Sequence, residues 1–444
     1  MEKKPLIATE LPGPRARDLL ERNKKYRYPQ GPFTLEFVAE KAEGAFIEDV
    51  DGNRFLDFMG GIAVLSTGSC HPRVVKAVQD QLGRFLHVGP LLFFDAEVRL
   101  AEKITALAPG ETPMRVFLGN SGTESIEAAL KVARYKTKRG AIISFTGSFH
   151  GRTLGAMSVS ASKVTHRKHM GPLLPEVYFA HFPYCYRCPF HLAREECGLY
   201  CLAYIREVLF QKVISPEDVA AIIVEPIQGE GGYIVPPPEF LPALRELTRE
   251  FGILLIADEI QTGAGRTGRF FAVEHWEVEP DIICLAKGIA SGLPIGIMLA
   301  REDVLAWEPG AHGTTFGGNP LSCVASLETI DLLTGGLIDS AAQVGRWILD
   351  RLREMQEHYE IIGDVRGKGL MIGIEIVKDK KTKTVDPDRR KEIIKKAYQK
   401  GLILLECGAS AIRICPPLVL SREEADLGLS ILRESIEAAS VSQS

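Results

Sequence analysis

Short apolar runs at 115–118, 141–145, 220–224, 253–257 and 282–285 recur through the middle of the chain, with helical periods between them, the clearest over 124–136. That alternation leaves few folds open. Short β-branched strands separated by helices predict an α/β architecture, a mostly parallel sheet covered on both faces. One run, Ile253-Leu-Leu-Ile-Ala257, stops at Asp258 with Gln261 just beyond, and is answered about one strand later by Cys284-Leu-Ala-Lys287-Gly288. Polar groups at the carboxyl end of a buried strand stand where α/β sheets hold their ligands.

A chain of 444 residues exceeds the roughly 250 to 300 at which single cores stop growing, so a large domain and a smaller one are expected. The 53 basic and 57 acidic residues leave a net charge of −4, with no block of like charge to bind nucleic acid or a membrane. The N-terminus lacks the apolar core of a signal peptide, and no run approaches the roughly 20 apolar residues of a membrane span. A cytoplasmic protein acting on small molecules is expected.

The first 45 or so residues, rich in Pro, Arg and Lys, have weak periodicity and are expected to wrap a partner surface. Phe46-Ile-Glu-Asp-Val50 and Arg54-Phe-Leu-Asp-Phe58 flank Asp51-Gly52-Asn53, a hairpin signal. From about Asp331, helical patterns surround 369–376 and 412–414, which read as strands of a smaller α+β domain. The tail, 438–444, is expected to fray.

Each strand end carries polar groups. Gly119-Asn-Ser-Gly122-Thr123-Glu124 leads straight into a helix; Ser121 and Glu124 form a capping-box pattern, and free amides at such a start suit an anion. Gly147, Phe149, His150, Gly151 and Arg152 follow the next run. Glu225 and Glu230 follow the third, and carboxylates there need cations or donors. Lys287 follows the last. Each has a plain structural alternative: a Gly-rich turn, a core aromatic, a satisfied histidine, an ion pair, a lysine reaching solvent. Their convergence on one sheet edge is what argues for chemistry. Pyridoxal phosphate needs backbone donors and hydroxyls for its phosphate, a carboxylate for its pyridine nitrogen and a lysine amine for its aldehyde. Asp258 and Lys287 supply the last two; Gln261 can reach the phenolic oxygen, and Phe149 or His150 can cover the ring.

These residues resemble the class III, ω-amino-acid family of fold-type I pyridoxal-phosphate aminotransferases, the group of 4-aminobutyrate, ornithine and acetylornithine aminotransferases. The resemblance runs from Gly60-Gly61 and Gly68-Ser-Cys-His71-Pro72 to Arg413-Ile-Cys-Pro416-Pro417. It is carried by Asn120-Ser-Gly-Thr-Glu, Phe149-His-Gly-Arg-Thr153, Val224-Glu-Pro-Ile-Gln-Gly-Glu230, Asp258-Glu-Ile-Gln261-Thr-Gly and Gly313-Thr-Thr-Phe-Gly-Gly-Asn-Pro320. It implies an N-terminal segment, 1–70, contributing to the small domain and a dimer interface, a large cofactor domain over 71–329, and a small C-terminal domain over 330–444.

By the same resemblance, Lys287 forms the Schiff base and shuttles the proton, Asp258 partners the pyridinium, Gly122 and Thr123 bind phosphate, Phe149 stacks and Gln261 meets the phenolic oxygen. His150 and Glu225 are counted with the cofactor residues. Thr315 matches a threonine that binds the neighbouring subunit's phosphate, so a homodimer or higher homo-oligomer is implied.

For the substrate, Arg413 matches the holder of the α-carboxylate and Glu230 the acid that pairs with it when an ω-amine occupies the site. Arg152 matches the holder of the distal carboxylate. Ile62 stands where ornithine-type members carry tyrosine, which points to a 4-aminobutyrate-like or broader amine. The implied activity is ping-pong transamination from such a donor to 2-oxoglutarate. The family also includes amino-acid racemases and epimerases, in which Lys287 and Glu230 would be the two acid/bases.

Cys185, Cys188, Cys197 and Cys201 form C-x2-C-x8-C-x3-C in a segment that departs from the family pattern. Zinc binding, disulfides and plain packing all remain open, and no residue is assigned as a metal ligand.

Overall fold

The computed structural model describes residues 3–28 and 35–441. The apolar runs lie in one seven-stranded sheet: β1 (Met114–Gly119), β2 (Ala141–Thr146), β3 (Val177–His181), β4 (Val219–Val224), β5 (Leu254–Asp258), β6 (Ile282–Leu285) and β7 (Gly296–Arg301). In space the order is β1-β7-β6-β5-β4-β2-β3. Strands β2 to β6 pair in parallel, whereas β7 runs antiparallel to both its neighbours. β4 is buried throughout its length, as an unbroken apolar run covered on both faces must be.

After β1, the helix Gly122–Thr137 turns Ile126, Ala129, Leu130 and Ala133 inward, none more than 2% exposed. Their spacing makes one helical face. Because the parallel strands share a direction, β2, β4, β5 and β6 deliver Phe149, Glu225, Asp258 and Lys287 to the same edge.

Two smaller sheets flank this layer. In one, Ala39–Glu43, Phe46–Asp49 and Arg54–Asp57 form an antiparallel meander, turning at Gly52 with φ of 85°, where glycine carries no steric cost. Leu402–Ile403 joins it in parallel beside Arg54–Asp57, so both ends of the chain build one sheet. The other holds Ile362–Lys368, Met371–Asp379, Ala411–Ile414 and Leu405–Cys407, with Thr384–Val385 paired to Met371–Asp379. The helix Pro320–Leu332 crosses position 329 and continues through Leu333–Leu337 into Ile338–His358.

Two expectations about local structure, the weak periodicity of the opening segment and the fraying of the tail, need correction. The opening segment contains a helix, Pro14–Tyr26. Arg15 and Ala16 donate their backbone N–H groups to the Asp51 carboxylate at 2.9 and 2.8 Å, and Ala16 is fully buried, while the charged remainder hides the periodicity; residues 29–34 of this opening lie outside the described residues. The tail is helical to Val441 within Arg422–Val441, anchored by buried Ile436 and Ala439; 442–444 lie outside the described residues. The stretch Pro320–His358 is, by length and composition alone, long and apolar enough to cross a bilayer. Its apolar residues include Ala325, Ile330, Leu333 and Ile348, all fully buried in the protein core.

Candidate active site

The loops after β1, β2, β4, β5 and β6 enclose a cavity of about 350 Å³, lined among others by Gly122, Thr123, Phe149, His150, Glu225, Asp258, Gln261 and Lys287. Asp258 ends β5, where the apolar strand has already removed it from water; it is 3% exposed. Its Oδ1 accepts the Ile260 N–H at 3.0 Å and its Oδ2 lies 2.7 Å from His150 Nδ1. His150 Nε2 and Gln261 Oε1 are buried with no hydrogen-bond partner among the described residues. Buried polar atoms left so are costly, and both belong to cavity-lining residues.

Glu225 fixes the loop that carries Phe149. One of its carboxylate oxygens accepts the Phe149 N–H and the other the Gly229 N–H, each at 2.9 Å. Burial raises its pKa, with the neighbouring Asp258 charge adding to the rise and His150 opposing it. Lys287 follows β6 with φ of 46°, a left-handed conformation that a non-glycine residue holds only under tertiary constraint. A side chain on Gly288 would come within 2.3 Å of Ser66 Oγ, so a larger residue there would have to push the Ser66 side chain aside. Burial lowers the Lys287 pKa; Asp258 opposes that and Arg413 reinforces it. The neutral amine thus favoured is the nucleophilic form.

At the helix start, Ser121 Oγ accepts the Glu124 N–H at 3.4 Å. The expected capping box is half made, because the Glu124 carboxylate takes the Asn120 N–H instead of that of Ser121. Thr123 Oγ1 lies 2.7 Å from Thr153 Oγ1. The first amides of a helix have no acceptor within it, and Gly122 and Thr123 hold that position beside the cavity.

Three substrate candidates, Arg152, Glu230 and Arg413, lie outside the cavity's lining and are read as its rim. Arg413 lies in Ala411–Ile414 of the small sheet, and its Nη1 is 3.5 Å from Glu230 Oε2. Glu230 sits on the loop after β4, clasped from the small-sheet side: Gly408 donates its N–H to the Glu230 carbonyl at 2.8 Å, and Arg366 donates to the Gly232 carbonyl at 2.6 and 3.1 Å. Arg152 stacks its guanidinium 5.4 Å from the Phe149 ring centroid.

Two candidates stand apart. Ile62 is 48% exposed, with a left-handed φ of 67°, and Val64 lines the cavity in its stead. Thr315 lines a separate cleft of about 250 Å³ with His87, Phe117 and Phe316. Its hydroxyl therefore does not serve this chain's own cavity.

Sequence reasoning missed Lys163, whose Nζ lies 2.6 Å from Glu230 Oε1, and His166, whose ring packs edge-on to Phe149 at 5.4 Å. Neither carries a motif signal. Burial would raise the Glu230 pKa, but Arg413 and Lys163 outweigh it and hold the carboxyl below its ordinary range.

The four cysteines of the 185–201 segment are free and line a second cavity of about 350 Å³ with Tyr184, Phe190 and Arg194. Among the described residues, no group of His, Cys, Asp and Glu is placed to hold a metal ion.

The first cavity's residues fit pyridoxal phosphate. Asp258 meets the ring nitrogen's need, Lys287 the aldehyde's, the Gly122 helix start the phosphate's, and unpartnered Gln261 Oε1 can accept a hydrogen bond from the phenolic side. Comparison with known proteins points the same way. The model of the family described as aminotransferase class-III matches residues 28–436. An alanine/serine racemase of Pyrococcus horikoshii is 40% identical over 98% of this chain and 93% of its own. A 4-aminobutyrate aminotransferase of Mycobacterium leprae is 40% identical over 97% of this chain and 98% of its own. A solved amine transaminase from an uncultivated Pseudomonas species, in its PLP-bound form, aligns with a TM-score of 0.86 at 32% identity, covering 94% of this chain and 99% of the other.

Proposed function

Since the chain belongs to the class III aminotransferases, enzymes built around pyridoxal phosphate, we propose that it moves an amino group from an ω-amino acid such as 4-aminobutyrate, or a related amine, to 2-oxoglutarate by a ping-pong mechanism. The observation that carries this reading is the Glu230–Arg413 pair at 3.5 Å. A guanidinium fork suits a carboxylate. A donor without an α-carboxylate leaves Arg413 in need of an anion, and Glu230 supplies it. An acceptor with an α-carboxylate takes Arg413 for itself. Arg152, beside Phe149, is suited to the carboxylate at the substrate's other end.

Bound pyridoxal phosphate supplies an electron sink for the carbon that loses its proton. The chain's own residues do the rest. Asp258, oriented by Ile260 and His150, would hold its carboxylate toward the cofactor's ring nitrogen. Lys287 Nζ, favoured neutral by burial, takes the proton from the amine-bearing carbon and returns it.

We read the assembly as a homodimer. Thr315 faces a cleft apart from its own cavity, and Leu91, Leu92, Phe93 and Phe316 expose 60% or more of their surfaces. Such exposed apolar clustering suits a second copy better than water.

A second reading, amino-acid racemisation, is favoured by the 40% identity to the alanine/serine racemase. It needs a second acid/base opposite Lys287. Glu230 is poorly suited, since its carboxylate is shared by Lys163 and Arg413 and held below its ordinary pKa. The test is to incubate holoenzyme with single L-amino acids and with 4-aminobutyrate, with and without 2-oxoglutarate, following chirality and glutamate. Glutamate formed only with both partners present is expected; stereoinversion with no glutamate formed would overturn the transaminase reading.

A further inference from the structure

We propose that Lys163 is a positioning residue of the substrate rim: it keeps Glu230 paired when a substrate carboxylate displaces Glu230 from Arg413. This rests on the reading that Arg413 receives that carboxylate. Glu230 is held from two sides, and unequally. Lys163 Nζ is 2.6 Å from Oε1, a hydrogen-bonded ion pair, while Arg413 Nη1 is 3.5 Å from Oε2, beyond a strong hydrogen bond. The looser contact is the one that has to break.

The geometry answers a physical problem in the switch. A carboxylate as enclosed as Glu230, with its side chain 19% exposed, is costly to leave without a partner. With Arg413 as its sole cation, each arriving carboxylate would strand it, and the cost would fall on substrate affinity. Lys163 removes that cost because it holds the opposite carboxylate oxygen and need not move. His166, also close to this cluster, is poorly suited to replace it: burial, and then Arg152, lower its pKa and disfavour the charged ring. Lys163 and Glu230 come from different loops, the one after β2 and the one after β4, whereas Arg413 lies in the small sheet.

The test measures binding of glutarate, an unreactive dicarboxylate, to holoenzyme by calorimetry in a double-mutant cycle. Lys163→Gln should weaken glutarate about ten-fold, and Lys163→Arg should hold it within about two-fold of the parent. In a Glu230→Gln background there is no charge to hold, so Lys163→Gln should then change affinity by less than about two-fold. An equal loss in both backgrounds, or no loss in the parent, overturns the proposal. Glutarate binding indifferent to Arg413→Gln would overturn it together with the carboxylate role of Arg413. Binding through Arg413 without glutamate formation from 2-oxoglutarate would remove the transaminase reading and leave Lys163's role intact.

Discussion

The floor of the cavity and its rim solve different electrostatic problems. On the floor, Asp258, Glu225 and His150 come from loops and strands of one parallel sheet, and each carboxylate is tied by fixed donors at 2.7 to 3.0 Å. These charges have one arrangement and keep it. On the rim, Glu230, Lys163 and Arg413 come from two loops and a separate sheet, and the Arg413 contact is loose at 3.5 Å. Charges that must change partners are better held by ion pairs between elements than by backbone amides, since an amide fixed in the main chain offers no second position. The floor therefore specifies the cofactor chemistry, and the rim the identity of what reacts.

If the floor is all-or-none, its loss should be the largest effect in the molecule. Lys287→Ala should lower turnover by more than about 1000-fold, since both the nucleophile and the proton carrier go together. The purified variant should also lose the visible absorbance of lysine-bound cofactor. Retained absorbance and turnover would place the anchor elsewhere. The rim should instead show graded, substrate-dependent losses. Arg413→Lys replaces a fork with a point charge and should raise KM for 2-oxoglutarate by about 10- to 100-fold, the value of charge-assisted hydrogen bonds. The KM for an amine donor lacking an α-carboxylate should move much less. Equal losses for both would erase the distinction between rim and floor.

The same contrast explains what the sequence made legible. Floor residues follow strands directly, so the runs ending near Asp258 and Lys287 point to them, and the apolar run of β6 coincides with its observed bounds. Strands β3 and β7 carry no such signal: Val177-Tyr-Phe-Ala-His181 is a short edge strand carrying Tyr and His, and β7 follows the Gly- and Pro-rich stretch at 291–294 and runs against its neighbours, a direction set by packing and not by pattern. The rim is legible through family resemblance at Arg413 and Glu230 and silent at Lys163, a lysine in a Ser-Ala-Ser loop whose partner is brought to it by folding alone. Ile62 reads as a substrate position through family resemblance alone, whereas the left-handed turn that exposes it and presents Val64 to the cavity is a tertiary outcome.

The smallest effect tests whether the floor's rigidity extends one residue further. Glu259 follows Asp258 and is fully buried, yet it serves the scaffold: one oxygen accepts the Val273 N–H at 2.9 Å and the other the Thr262 hydroxyl. Burial, only partly offset by those bonds, raises its pKa from an ordinary 4.5 to about 7. The folded protein therefore holds this proton more tightly than the unfolded chain does. The resulting stability is fully present below about pH 4.5 and is lost as pH rises through about 7. Glu259→Gln keeps the hydrogen-bonding shape without a titrating proton. Between pH 5 and pH 8 the parent should lose about 1 to 3 kcal/mol more stability than the variant, read from thermal or denaturant unfolding of both at each pH. A parent and variant whose stability difference is the same at both values would mean that Glu259 is ionised in the fold across this range, and that the apolar end of β5 tolerates a second charge beside Asp258.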